Sequence, residues 1–433
     1  MPYLRALRAP LMAGLAVLTL AACQDREPRL PGDRIEIRPD AAPTGAAVAR
    51  PLALPAPQVN ADWSHRNGAA NGRFAHLAFG AEPREIWSVD IGAGSGRRTR
   101  LVSAPIVAGG LVFALDAAAQ LSAFTTQGEL AWRRSVAREG QRADSGPGGG
   151  LAVWNGVLFV TTGFGEVLAL DPATGGEIWR VTLDAPVRAA PTVDQGRVFV
   201  VARNDTAYAL SAETGATLWR IQGTGGAGVF GGASPAASGT LVVVPFASGE
   251  VLGVLARNGL QVWGTAVTGG RRELVRNRIS DITGDPVIDG ATVYASNQSG
   301  RSISLDRETG ERHWTISEGA FGPAWPVGGS VFLLSDRGAL VRVDAASGAL
   351  VWSTQLQEYV NEKRREAIAH HGPILAGGRL WVASADGLLR SFSPSTGEPL
   401  STVDLPGGAA APPALARGVM YVVTRDGRLH AFQ

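Results

Sequence analysis

Across its 433 residues the chain has one cysteine, Cys23, one lysine, Lys363, and three methionines. A lone cysteine excludes an internal disulfide and any zinc or redox site built on paired thiols. Histidine is scarce too. The six are His65, His76, His313, His370, His371 and His430, none at ligand spacing from Cys or an acidic residue, so no zinc or haem site is expected. CxxCH, HExxH and GxSxG do not occur. The Gly-rich "GAGSG" from Gly92 and "GTGGAG" from Gly223 lack the Lys-Ser/Thr of a nucleotide loop and read as inter-element loops. His370-His371, in "QEYVNEKRREAIAHHGP", reads as part of a solvated, charged loop.

Charge is sparse, at 18% of residues, with a formal net of +2; removing Arg5 and Arg8 with a leader leaves 38 residues of each sign. No basic footprint points to nucleic acid. The apolar run from Leu11 to Leu20 is too short to span a bilayer, but with the preceding arginines and following small residues it forms an export signal over residues 1–22. Its end, Leu20-Ala21-Ala22-Cys23, resembles the bacterial lipobox, the alternative being an ordinary secretory signal with an incidental cysteine. A lipobox implies acylation of Cys23, cofactor-free anchoring through two or more acyl chains at about 0.8 kcal/mol per buried methylene, and, with Gln24 rather than Asp following, the periplasmic leaflet of the outer membrane. Residues 23–61, rich in Pro, Ala and Arg without periodicity, read as a flexible tether.

Glycine (56), proline (26) and tryptophan (11) are plentiful. "DPATGGEIW", ending at Trp179, has relatives ending at Trp132, Trp219, Trp263, Trp314 and Trp352, and a seventh copy ends at Ser401. Trp87 in "PREIW" is in phase. The spacings run from 38 to 51 residues, and a Gly precedes each of the seven copies' last positions by four residues. Such self-similarity signals a repeat architecture. Residues 190–219 read as strands Pro191–Val193, Arg197–Ala202, Thr206–Leu210 and Ala216–Arg220, which make one propeller blade. In the turn before Trp179, Asp171 is expected to accept hydrogen bonds from turn amides and Gly175 to take up a left-handed backbone.

The last repeat, "APPALARGVMYVVTRDGRLHAFQ", lacks its outer strand, and "EIWSVDI" has that strand's character. Pairing the two closes the ring and protects its edges. The expected fold is all-β: an eight-bladed β-propeller over residues 62–433, closed by an N-terminal strand, with Trp63 tacking residues 62–80 onto it. One tryptophan per blade cannot serve one ligand. Trp87, Trp132, Trp179, Trp219, Trp263, Trp314 and Trp352 are therefore read as staples between blades, and the seam beside Ser401 as the place for looser packing.

The repeats resemble the tryptophan-docking motif of the pyrroloquinoline-quinone-type propellers, some of which are enzymes. Those dehydrogenases carry a vicinal Cys pair that a chain with Cys23 alone cannot form, so a quinone enzyme or small-ligand propeller is only the alternative. Lipobox, tether and eight blades together resemble the BamB family of outer-membrane assembly lipoproteins, as do "DWSHRNG", "IWSVDIG" and, most specifically, "RNRISDITGDPVIDG". The resemblance implies a non-catalytic scaffold with no cofactor, bound to a POTRA domain of BamA and to other subunits of the complex, and in contact with nascent outer-membrane proteins. It also implies two contact loops. In "GAGVFGGASP", Val229 stands at an apolar position, Ala227 is a smaller substitute at another, and Phe230 replaces an Arg. In the second loop Asp281 matches an acidic position and Thr283 replaces a second acid. Val229 and Phe230 could instead be buried between blades, and Arg278 could brace Asp281 as well as touch the partner.

Overall fold

The computed structural model is described for residues 50–433 apart from 98, 147, 226–231, 268–280, 362, 364 and 365, and the side chain of Ser145. Eight four-stranded antiparallel sheets follow one another along the chain as the blades of a propeller. The third blade consists of Thr192–Asp194, Arg197–Val201, Thr206–Ser211 and Thr217–Gln222, within two residues of the reading from sequence at every boundary. Seven blades use four strands consecutive in sequence. The eighth joins Ala414–Ala416, Val419–Val423 and Arg428–Phe432 to the N-terminal strand Glu85–Asp90. Trp87 lies opposite Ala431 and Asp90 opposite Arg428, so the ring closes as expected.

The burial pattern explains the composition. In the second blade the middle strands Val157–Thr162 and Glu166–Leu170 are buried on both faces, whereas the outer strand Glu177–Thr182 is half-buried or exposed. Each sheet has a neighbour on either side, which favours continuous Val, Leu and Phe over alternation. The core is accordingly divided among the seams: Ala152, Phe159 and Val167 of the second blade pack with Val198, Val200 and Tyr208 of the third.

The outer strand of every blade carries one extra residue immediately before the staple position. Ala169 pairs with Trp179 and Leu170 with Glu177, leaving Ile178 bulged, and the same shift recurs in the other seven blades. A bulge bends the strand and re-aims the next side chain. It sends the indole towards the neighbouring blade and leaves Ile86, Ile178, Leu218, Val262 and Leu400 exposed on the rim.

Two expectations need correction here. Residues 50–61 are not free tether, because Arg50 Nε meets the buried Asp344 carboxylate at 2.8 Å, Arg342 Nη2 donates to Arg50 O at 3.0 Å, and Gln58 N donates to His76 O at 2.9 Å. Main-chain carbonyls and one ion pair hold this Pro-rich stretch without any apolar periodicity. Nor are His370 and His371 in a solvated loop: they open the first strand of the seventh blade, His370–Ala376, and both are half-buried.

Candidate functional site

Seven seams have one stapling geometry. Each indole lies over the turn glycine of the following blade, where a Cβ would stand 2.6 to 2.9 Å from the nearest indole carbon at Gly128, Gly175, Gly215, Gly259, Gly310, Gly348 and Gly397. Each Nε1 also donates to a carbonyl of that turn: Trp87 to Thr126 O, Trp132 to Pro172 O, Trp179 to Ala212 O, Trp219 to Ala256 O, Trp263 to Arg307 O, Trp314 to Ala345 O and Trp352 to Pro394 O, at 2.8 to 3.1 Å. The turn itself behaves as its sequence predicts. Asp171 Oδ1 accepts from Ala173 N and Thr174 N at 2.8 and 2.9 Å, those amides hold its carboxyl below the usual range, and Gly175 has φ +71°.

Ser401 lacks an indole for a reason of connectivity. The eighth blade's third and fourth strands are not joined by a hairpin, since the fourth is Glu85–Asp90, so no turn lies across that seam to receive one. Ser401 Oγ instead pairs with Ser391 Oγ at 2.7 Å beside Arg379, and the incoming Phe79 packs edge-on against Trp381 with ring centroids 5.2 Å apart.

Sequence reasoning missed a second aromatic series. Phe113, Phe159, Phe199, Tyr294, Phe332 and Tyr421, on second strands, stand 5.8 to 6.1 Å from the indoles of their own blades. The signal was present in "LVFAL", "VLFVTT" and "RVFVV", each with an aromatic third. The fourth blade has Val243 there, and Trp263 lies over Gly253.

Residues 58–78 form a strap that circles one mouth of the ring and touches the first strand of each blade in spatial order. Asn60 Nδ2 donates to Leu415 O in the eighth blade, and Trp63 exchanges main-chain bonds with Val107 in the first. Val153 N, in the second, donates to Ser64 O; Val193 N, in the third, to His65 Nε2 at 3.1 Å. Ala237 N and Ile288 N, in the fourth and fifth, donate to Ala70 O and Asn71 O. Trp325 Nε1, in the sixth, donates to Ala75 O, and Leu77 pairs with Leu375 and Gly377 in the seventh. Trp63, 2% exposed, stacks on Phe74 at 5.1 Å, which gives the segment its expected apolar foothold. Burial pushes His65 down to about 4, so the ring is neutral where its Nε2 meets the main chain of Val193 at 3.1 Å.

Between His65 and Ala70 the strap makes a turn, with Gly68 N donating to His65 O at 2.8 Å. Arg66 Nη1 donates to Gly232 O at 2.9 Å and its Nε lies 3.5 Å from Asp285 Oδ2. Asp285 also accepts from Asn67 Nδ2 and from Ser234 N. Arg188 Nη1 donates to Asp281 Oδ1 at 2.8 Å, with the two side chains 2% and 0% exposed. Gly232 lies flat on the Arg188 guanidinium, where a Cβ would stand 2.7 Å from Nε. Burial, then the charges of Arg66 and His370, push His371 down to about 4.

This geometry corrects one candidate contact. Asp281 offers no surface to a partner, because its carboxylate is committed to Arg188, a cation 93 residues away that sequence reading did not single out. Thr283 is likewise buried and donates to Ala320 O at 2.8 Å. Cys23, Ala227, Val229, Phe230 and Arg278 lie outside the described residues. The flanks of their loops are described. Each first strand runs towards the strapped mouth, so by antiparallel alternation the links between blades, from Gln222 to Ala236 and from Ala266 to Ile282 among them, leave from the opposite mouth.

Among known proteins, the family model described as outer membrane protein assembly factor BamB matches residues 123–354 and 336–433. The chain is 30% identical over 377 residues to the outer membrane protein assembly factor BamB of Xanthomonas campestris, covering 81% of this chain and 85% of that one. It is 26% identical to that of Shewanella oneidensis, covering 80% and 88%. The crystal structure of BamB from Moraxella catarrhalis superposes with a TM-score of 0.65 at 20% identity, covering 82% of this chain and 98% of that one. A quinohemoprotein alcohol dehydrogenase from Comamonas testosteroni shares the fold at the same TM-score but 15% identity, covering 86% and 80%. With the family model matched over most of its ring, the chain belongs to the BamB family of outer membrane protein assembly factors.

Proposed function

We propose that this chain is a lipid-anchored, non-catalytic scaffold of the complex that inserts β-barrels into the outer membrane, and that it docks on a POTRA domain of BamA through the mouth opposite the strap. Family membership over the ring itself is the observation that carries this reading. Acylated Cys23 holds the protein to the periplasmic face, where it meets BamA, other subunits and nascent outer-membrane proteins.

Three features support it. The described strands that flank the loops of Ala227, Val229, Phe230 and Arg278 end or begin at the mouth opposite the strap. With Phe230 in place of the family's Arg and Asp281 withdrawn into the ring, the contact is chiefly apolar, and binding energy concentrates in a few such anchors. The seven staple indoles are already engaged by neighbouring turns, which withdraws them from use as a stacking floor for a flat cofactor.

Changing Val229 and Phe230 together to Ser is the test. Recovery of BamA should fall by about tenfold while the urea midpoint stays put; undiminished recovery removes the site assignment. Cys23→Ser should shift the protein from membranes to the soluble periplasmic fraction, and continued co-sedimentation would contradict the anchor.

A further inference from the structure

Two side chains of the strap, Arg66 and Asn67, join it to the described flanks of the candidate loops. Arg66 enters from the strap and reaches two blades at once: the carbonyl of Gly232, which directly follows residues 226–231, and Asp285, four residues beyond Asp281, which directly follows residues 268–280. Asp285 in turn accepts from Ser234 N, tying the fourth blade's entry to the fifth blade's first strand. Arg188, from the third blade, lies against Gly232 and donates to Asp281, so the same two entries are linked a second time.

We propose that Arg66 is a positioning residue for the partner face: by bridging Gly232 and Asp285 it makes the seating of the N-terminal strap a condition for the arrangement of both loop bases. The inference rests on the reading of that face as the docking site. Burial makes the bridge consequential, since Asp285 is 4% exposed and would remain a desolvated carboxylate with Asn67 and Ser234 alone if the guanidinium left. The strap is thus a support of the interface rather than a passive plug. Because it lies directly after the segment leading to Cys23, seating of the chain end and readiness of the binding face form one equilibrium.

The experiment uses the full mature chain with Arg66→Gln, read by amide hydrogen exchange and by recovery of BamA from solubilised membranes. Ser234 N should exchange about tenfold faster or more, while the main-chain pair of Trp63 and Val107 changes by less than about threefold. BamA recovery should fall in parallel, and Arg66→Lys should restore part of it. Unchanged exchange at Ser234 overturns the proposal. So does a rise spread equally over the inner strands of the seventh blade, which marks a general loss of stability. Faster exchange at Ser234 with full BamA recovery, while the Val229 and Phe230 variant loses BamA, overturns the coupling but keeps the face. If neither variant loses BamA, the docking reading itself fails and the coupling with it.

Discussion

Gly259 of the fourth blade lies beneath the indole of Trp219 of the third, with its Cβ position 2.8 Å from Cδ2, and the same indole donates to Ala256 O at 2.9 Å. Each side of this contact excludes substitution for its own reason: the indole is a buried aromatic, and Gly259 combines close approach with φ +72°. Trp219→Ala should cost about 3–5 kcal/mol and Gly259→Ala about 1–3 kcal/mol, measured by urea unfolding. Because the two share one contact, the double variant should lose less than the sum. Strict additivity would contradict the staple.

Ser401→Trp makes the opposite case. Restoring the repeat's missing indole should not raise the unfolding midpoint, because the eighth blade has no hairpin turn there and Ser401 is already bonded to Ser391. A clear gain in stability would show that a docking surface exists after all.

The strap makes the ring sensitive to acid. His65 is held near 4 when folded and returns to its ordinary value of 6.5 when unfolded, so below 6.5 the unfolded chain binds the extra proton. Its stabilising contribution is complete above about 6.5 and lost as pH falls through that window towards 4, on the order of 3 kcal/mol. Comparing urea midpoints at pH 7 and 4.5, the parent should lose more than His65→Gln. Equal losses would remove the assignment.

Truncation separates the contribution of residues 50–61 from that of the rest of the strap. A chain beginning at residue 62 should lose the bonds made by Arg50, Gln58 and Asn60 yet keep the ring, whereas one beginning at residue 81 loses Trp63, His65, Arg66 and Leu77 together. Losing several buried groups should cost the second chain several kcal/mol beyond the first, about 3–5 of it from Trp63. Equal midpoints would show the strap to be an ornament of the mouth.

Blade number, strand order, ring closure and the staple were legible because each rests on a local pattern repeated many times. The indole, the turn glycine and the Asp171-type turn recur within nine residues of one another. Most of what escaped reading is not periodic. The strap is held in large part by main-chain bonds that any sequence can make, and its side-chain anchors Asn60, His65 and Arg66 meet their partners, as Arg188 meets Asp281 across 93 residues, only once the ring has closed. For the same reason Asp281 looked like a surface acid, and His370-His371 like a charged loop, when both lie in first strands or at their entry. The second-strand aromatics were readable, but the more conspicuous tryptophans masked them.

The central claim is that the unstrapped mouth docks on BamA. A photo-crosslinking side chain placed at Phe230, in the full lipidated chain on native membranes, tests it most directly, with Leu130 on the rim and Asn60 in the strap as controls. Adducts to BamA from position 230, and none from 60 or 130, are the expected result. Adducts from Asn60 with none from Phe230 would put the partner on the wrong face and contradict the account.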